Sequence, residues 1–143
     1  MTSTATMGVL IVDPDERARG QLQRDLQARG WCVWVAADGA DAVRAYRERP
    51  GDIDVALIDL QLPGLQGSQV LSELGRLAPT LCRCAMSAEV TPYTAAAFRR
   101  LSATPLFRKP VQADRLDEAI REMVVDDSSS ESRGRPHGAP PAT

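Results

Sequence analysis

Residues 55–67 read VALIDLQLPGLQG. Four apolar residues run into a single acid, Asp59, and then into a Leu-Pro-Gly turn. A short continuous apolar run bounded by a turn signal suits a strand buried on both faces, as in a parallel sheet. The turn does not need the acid, because proline and glycine already supply its backbone. The stretch therefore reads as a strand that delivers a carboxylate to the edge of a sheet.

Working outward, VLIV (9–12), CVWVA (32–36), RCAM (83–86) and PLF (105–107) are further short apolar runs, and DVALI (54–58) is the central one. Helical patterns separate them. From Asp15 to Arg29, Ala18, Leu22 and Leu26 recur every fourth residue, and Gly30 closes the run. Residues 39–48 carry Val43 and Tyr46 before Pro50-Gly51. Residues 67–78 place Val70, Leu71, Leu74, Leu77 and Ala78 on one face. Thr91-Pro92 predicts an N-cap and first helical residue for a fourth helix through Arg100. Leu116, Ala119, Ile120, Met123 and Val124 form the stripe of a fifth. The β-α order, repeated five times without an internal sequence repeat, predicts an α/β domain with a parallel sheet and right-handed crossovers.

A chain of 143 residues fits one domain, since domains run roughly 100 to 200 residues. Seventeen basic residues against 19 acidic ones give a net charge of −2. No basic run or basic-aromatic helix points to direct nucleic-acid contact. The apolar runs are too short to span a bilayer, and MTSTATMG lacks a charged region followed by an apolar stretch. A cytoplasmic protein with no membrane partner is expected. Three cysteines, Cys32, Cys82 and Cys84, do not suggest a disulfide framework, so all three are expected buried and reduced. SSSESRGRPHGAPPAT, after Asp127, has no apolar period. The expected organisation is a loose N-terminus at 1–6, one domain at 7–125, and a disordered tail or linker at 126–143.

Ligands of a parallel α/β sheet bind at the carboxyl ends of its strands. Asp13 follows the first predicted strand, Asp59 the third, Ser87 the fourth and Lys109 the fifth. Taken singly, Asp13 is equally a helix N-cap beside Pro14, Ser87 a loop serine and Lys109 a solvated lysine. Together they stand at one sheet edge. A carboxylate can attack phosphorus. Mg²⁺ is held by one or two carboxylates with waters and phosphate oxygens. A lysine and a hydroxyl suit the phosphoryl oxygens. The set describes a phosphoryl-transfer site.

In VALIDLQLPGLQG and FRKP, over about residues 7 to 125, the sequence resembles the receiver domain of bacterial two-component response regulators. The resemblance implies a five-stranded parallel sheet, doubly wound as (βα)5 in the flavodoxin-like receiver fold. It implies Asp59 as phospho-acceptor, Ser87 as switch hydroxyl and Lys109 as the lysine that contacts the phosphoryl group. It also implies Mg²⁺ on Asp13, Asp59 and the backbone carbonyl of Gln61, and a cis Lys109-Pro110 peptide. The donor would be a sensor histidine kinase or a phosphotransfer protein. No output domain follows within the chain, so output is expected through a protein partner, a homodimer or a downstream domain that is not part of this sequence. The face for it would be that of the fourth helix, fifth strand and fifth helix.

Two positions depart from the family pattern. The first strand normally ends in two adjacent acids, and Pro14 replaces the one that contacts the metal directly. Mg²⁺ binding is expected to be weakened, with water, Asp15 or Glu16 left to fill the vacancy. Leu106 stands where receivers commonly carry Tyr or Phe, and alternation points Phe107 to the opposite face. Both departures allow an alternative: a phosphorylation-independent pseudo-receiver that acts as an interaction module. LIVDPDE also matches the Asp-x-Asp pattern of aspartate-nucleophile phosphatases. However, Arg17 stands where Thr or Val is usual, and Asp126-Asp127 follow no strand, so phosphatase turnover is not expected.

Overall fold

A computed structural model describes residues 7–62, 67–92, 95, 96 and 104–134, with side chains through 123. Five parallel strands form one sheet: β1 (Gly8–Val12), β2 (Cys32–Ala36), β3 (Val55–Asp59), β4 (Cys82–Ser87) and β5 (Leu106–Arg108). Their order is β2-β1-β3-β4-β5. Helices α1 (Glu16–Ala28), α2 (Gly39–Glu48) and α3 (Gly67–Leu77) fill the first three crossovers. This is the flavodoxin-like order expected, and all five predicted strands are present. Among the described residues no helix is long and apolar enough to cross a membrane.

The central strands are apolar throughout because both faces are covered. Val9, Leu10, Ile11 and Val12 of β1 and Val55, Ala56, Leu57 and Ile58 of β3 have no solvent exposure (0%). Strand alternation sends Leu10, Val12, Ala56, Ile58 and Ala85 to one face. There they join Ala42 of α2 and Val70, Leu71 and Leu74 of α3 in a single apolar cluster. Val9, Ile11, Val55 and Leu57 alternate to the opposite face.

Local chemistry sets the ends of α1. Asp15 is its N-cap, accepting from the N–H groups of Arg17 and Ala18. Asp13, the other candidate, does not cap it. At the far end Gly30 takes φ 94°. Its N–H bonds to Gln27 O at 3.0 Å and the Trp31 N–H to Leu26 O at 3.1 Å, a paired closure that needs a residue free of Cβ strain.

The predicted fourth helix is only partly within the described residues. Its first turn is present, with the Ala95 N–H donating to Thr91 O at 2.9 Å. Residues 93, 94 and 97–103 lie outside, as do 1–6, 63–66 and 135–143. The C-terminal helix (Ala113–Gly134) forms a unit of its own, divided from the rest after Val111. Leu116 and Ile120 of its predicted stripe are buried. The helix runs past the tail boundary expected at 126, and Asp126 and Asp127 are within it. Serine and glutamate are acceptable helix formers, and the first proline after Pro110 arrives only at Pro136.

The cysteines also differ from expectation. All three are free, but only Cys84 is buried; Cys82 is half-buried and Cys32 exposed. For Cys32 the cause is topological, because β2 is an edge strand with one neighbour; Cys82 opens β4 ahead of the residues that pair with β5. Cys82 and Cys84 do share a face. A side-chain hydrogen bond from Cys82, with burial, pushes the Cys84 thiol far up, which makes it unreactive.

Candidate functional site

The chain switches direction between β1 and β3, and the crevice at such a point opens at the carboxyl ends of the strands. Val12 pairs with Ile58 in the β1–β3 register, so Asp13 and Asp59 come level at that crevice. Ser87, the last residue of β4, pairs with Arg108, and Lys109 follows directly. The sheet thus brings all four polar residues to one edge.

Three of the four meet through their side chains. Lys109 Nζ lies 2.7 Å from Asp59 Oδ2 and 3.0 Å from Asp13 Oδ2. Both carboxylates are almost wholly buried, at 3% and 4% side-chain exposure, against 17% for the lysine. Burial alone would lower the lysine pKa, but the hydrogen bonds and charges of Asp59 and Asp13 outweigh it and hold the ammonium above its ordinary value.

One device orients the ends of β1, β3 and β4. The Asp15 N–H donates to Asp13 Oδ1 at 2.9 Å, the Gln61 N–H to Asp59 Oδ1 at 2.9 Å, and the Glu89 N–H to Ser87 Oγ at 3.1 Å. Each is a side-chain turn closing on the backbone two residues on, which short polar side chains favour. In the two aspartates it fixes Oδ1 and turns Oδ2 to the lysine. In Ser87 the hydroxyl oxygen accepts from the Glu89 N–H. Ser87 reaches Lys109 through the backbone instead, with the Lys109 N–H donating to Ser87 O at 2.9 Å. The Lys109-Pro110 peptide is cis.

The two atypical positions have clear surroundings. Pro14 is exposed beside the crevice. Asp15 is committed to capping α1, so it is not turned to the crevice to stand in for the missing acid. Leu106 packs against the apolar cluster on the α2 and α3 face, as Leu60 does.

Two residues near the site carried no signal that the sequence reading used. Arg19 Nη1, on α1, donates to the backbone carbonyl of Asp13 at 2.7 Å. Gly67 opens α3 against the acceptor strand: a Cβ there would collide with the Asp59 carbonyl and with Leu60 Cα. Its glycine sits at the end of the Leu-Pro-Gly stretch, where only close backbone approach requires it. Gly67→Ala is expected to cost about 2–3 kcal/mol, as overpacking against rigid backbone does. Urea unfolding checks it, and a loss under about 0.5 kcal/mol, the range of neutral surface changes, would show that the strand end can yield.

The donor set fits a hard cation. Two buried carboxylates stand together on one lysine, and Mg²⁺ takes one or two carboxylates and completes its shell with water. Among the described residues no three His, Cys, Asp or Glu side chains converge on one point. Two acids are what the loss at Pro14 leaves.

A family model described as the response regulator receiver domain matches residues 9–121. The chain belongs to this family. This receiver is 31% identical over 120 residues to the sensor kinase CckA of Brucella abortus, covering 81% of the chain but only 12% of that protein. It therefore spans a small part of that curated relative. A receiver domain protein from Methanospirillum hungatei has the same fold, with TM-score 0.75 at 23% identity over 88% of this chain and 99% of that one. CheY of Borrelia burgdorferi, solved with CheX, BeF3 and Mg²⁺, gives TM-score 0.74 at 23% identity over 82% of this chain and 89% of that one.

Proposed function

We propose that this receiver is a phosphorylation-controlled switch in which Asp59 accepts a phosphoryl group from the phosphohistidine of a sensor histidine kinase or phosphotransfer protein. The observation that carries the reading is Lys109 Nζ seated on both buried carboxylates, 2.7 Å from Asp59 and 3.0 Å from Asp13. A carboxylate oxygen of Asp59 forms a bond to phosphorus while the donor's P–N bond breaks. The imidazole leaves with that electron pair and takes its proton from solvent. The Gln61 N–H holds Asp59 in one orientation for attack. Lys109 offsets charge on the phosphoryl oxygens. Mg²⁺, held by Asp13, Asp59 and the Gln61 carbonyl, supplies further neutralisation when bound.

The switch follows from the bonds at β4 and β5. Once Asp59 carries the phosphoryl group, the Ser87 hydroxyl, whose oxygen accepts from the Glu89 N–H, turns to donate its O–H to a phosphoryl oxygen. The Lys109–Ser87 backbone bond couples the two strand ends, so a pull on either moves both. Output then runs through a protein partner or a homodimer, without direct nucleic-acid contact, in the cytoplasm. The chain is an acceptor and does not turn over substrate.

The test is intact mass after incubation with a small acyl-phosphate donor, with and without Mg²⁺, for wild type and Asp59→Asn. The expected result is a Mg²⁺-dependent gain of one phosphoryl group, absent in Asp59→Asn. A folded wild type that gains nothing at high Mg²⁺ would select the second reading, a phosphorylation-independent interaction module. Pro14, with Asp15 tied to the helix cap, favours that alternative.

A further inference from the structure

We infer that Arg19 sets how weakly this site holds a divalent cation. The inference rests on the phosphoryl-transfer reading, since the cation in question is the one that site would take.

Arg19 Nη1 donates to the main-chain oxygen of Asp13 at 2.7 Å in a partly buried contact. Its guanidinium is permanently charged. Among the described residues no carboxylate pairs with it: the ion pairs nearest the site are those of Lys109 with Asp13 and Asp59. Arg19 therefore carries its charge without a direct ion pair. It stands on the backbone of the residue whose carboxylate would hold the metal.

The charge balance gives this weight. With Pro14 in place, two carboxylates face the crevice, Asp13 and Asp59, and Lys109 sits directly on both. Arg19 adds a second positive charge through the Asp13 backbone. An acid at position 14 would add one negative charge against these two cations. Divalent affinity follows ligand charge, and partly buried charges are screened less than exposed ones. Arg19 bonds to the Asp13 carbonyl and not to a carboxylate oxygen, so it acts through its field and not by occupying a ligand position.

The test is a titration of the full chain with Mn²⁺ alone at fixed ionic strength, reading free Mn²⁺ by electron paramagnetic resonance. No phosphoryl donor is present. Arg19→Gln is expected to bind Mn²⁺ about five- to tenfold more tightly, and Arg19→Lys to match wild type. Arg19→Met keeps the aliphatic packing and is expected to behave as Arg19→Gln, so a folding defect in one leaves the other. Unchanged or weaker binding in both neutral variants, or equal tightening in Arg19→Lys, overturns the inference. Pro14→Asp separates the two readings. If it tightens binding while the Arg19 variants do not, the metal site stands and the role of Arg19 falls. If no variant binds Mn²⁺, both fall.

Discussion

Pro14→Asp is expected to tighten Mg²⁺ binding by about one to two orders of magnitude, because one more anionic ligand joins the two already at the crevice. Asp13 and Asp59 are buried and oriented by backbone N–H groups, so the added acid meets a prepared half-site. Without cation the variant should be less stable than wild type, since a third carboxylate crowds two others that share one lysine. With cation the order should reverse. Each tenfold gain in affinity adds about 1.4 kcal/mol to stability once the cation exceeds its dissociation constant. The measurement is the shift in unfolding midpoint across a Mg²⁺ series, with Pro14→Ala beside it. Alanine relieves the proline backbone without adding a ligand, so it should leave the Mg²⁺ response as in wild type. A Pro14→Asp variant with a wild-type Mg²⁺ response would mean that these carboxylates do not hold the ion.

Much of this site was legible because the strands are. A parallel strand covered on both faces is nearly all apolar, so the polar residue that ends the run marks the sheet edge. Asp13 was placed that way, and Asp59 and Ser87 close their strands as last residues, while Lys109 lies one beyond Arg108 and was marked by FRKP. What escaped was the competition among neighbouring side chains. Asp13 and Asp15 both suit an N-cap, and spacing alone does not say which one takes it. The structure gives the cap to Asp15 and leaves Asp13 to the crevice, because Asp13 closes its own turn on the Asp15 N–H. Cys32 was misjudged because a strand's composition does not reveal that it lies at an edge. Arg19 was invisible because its contact is to a backbone carbonyl, which any residue offers.

Lys109→Met is expected to destabilise the fold by about 2–4 kcal/mol while leaving its packing volume nearly unchanged. Breaking a buried ion pair from one side costs about 3–5 kcal/mol, and the partial exposure of the ammonium reduces that here. The cost comes from Asp13 and Asp59, which then face each other with no cation between them. Adding Asp59→Asn should recover part of the loss, because it removes one of the two charges. Urea unfolding of the single and double variants checks this, and a double variant no more stable than Lys109→Met would rule out the repulsion. The pH dependence has a definite sign. Lys109 is held above its ordinary value of 10.5, so its stabilisation is full below that value and fades as pH rises through the folded-state value. The stability gap between wild type and Lys109→Met should therefore be flat from neutral pH to about 10 and close only above it. A gap that closed between pH 7 and 9 would mean the ammonium is not stabilised by the two carboxylates. The same lysine would then be a poor partner for a phosphoryl group, and the switch would lose the contact on which it depends.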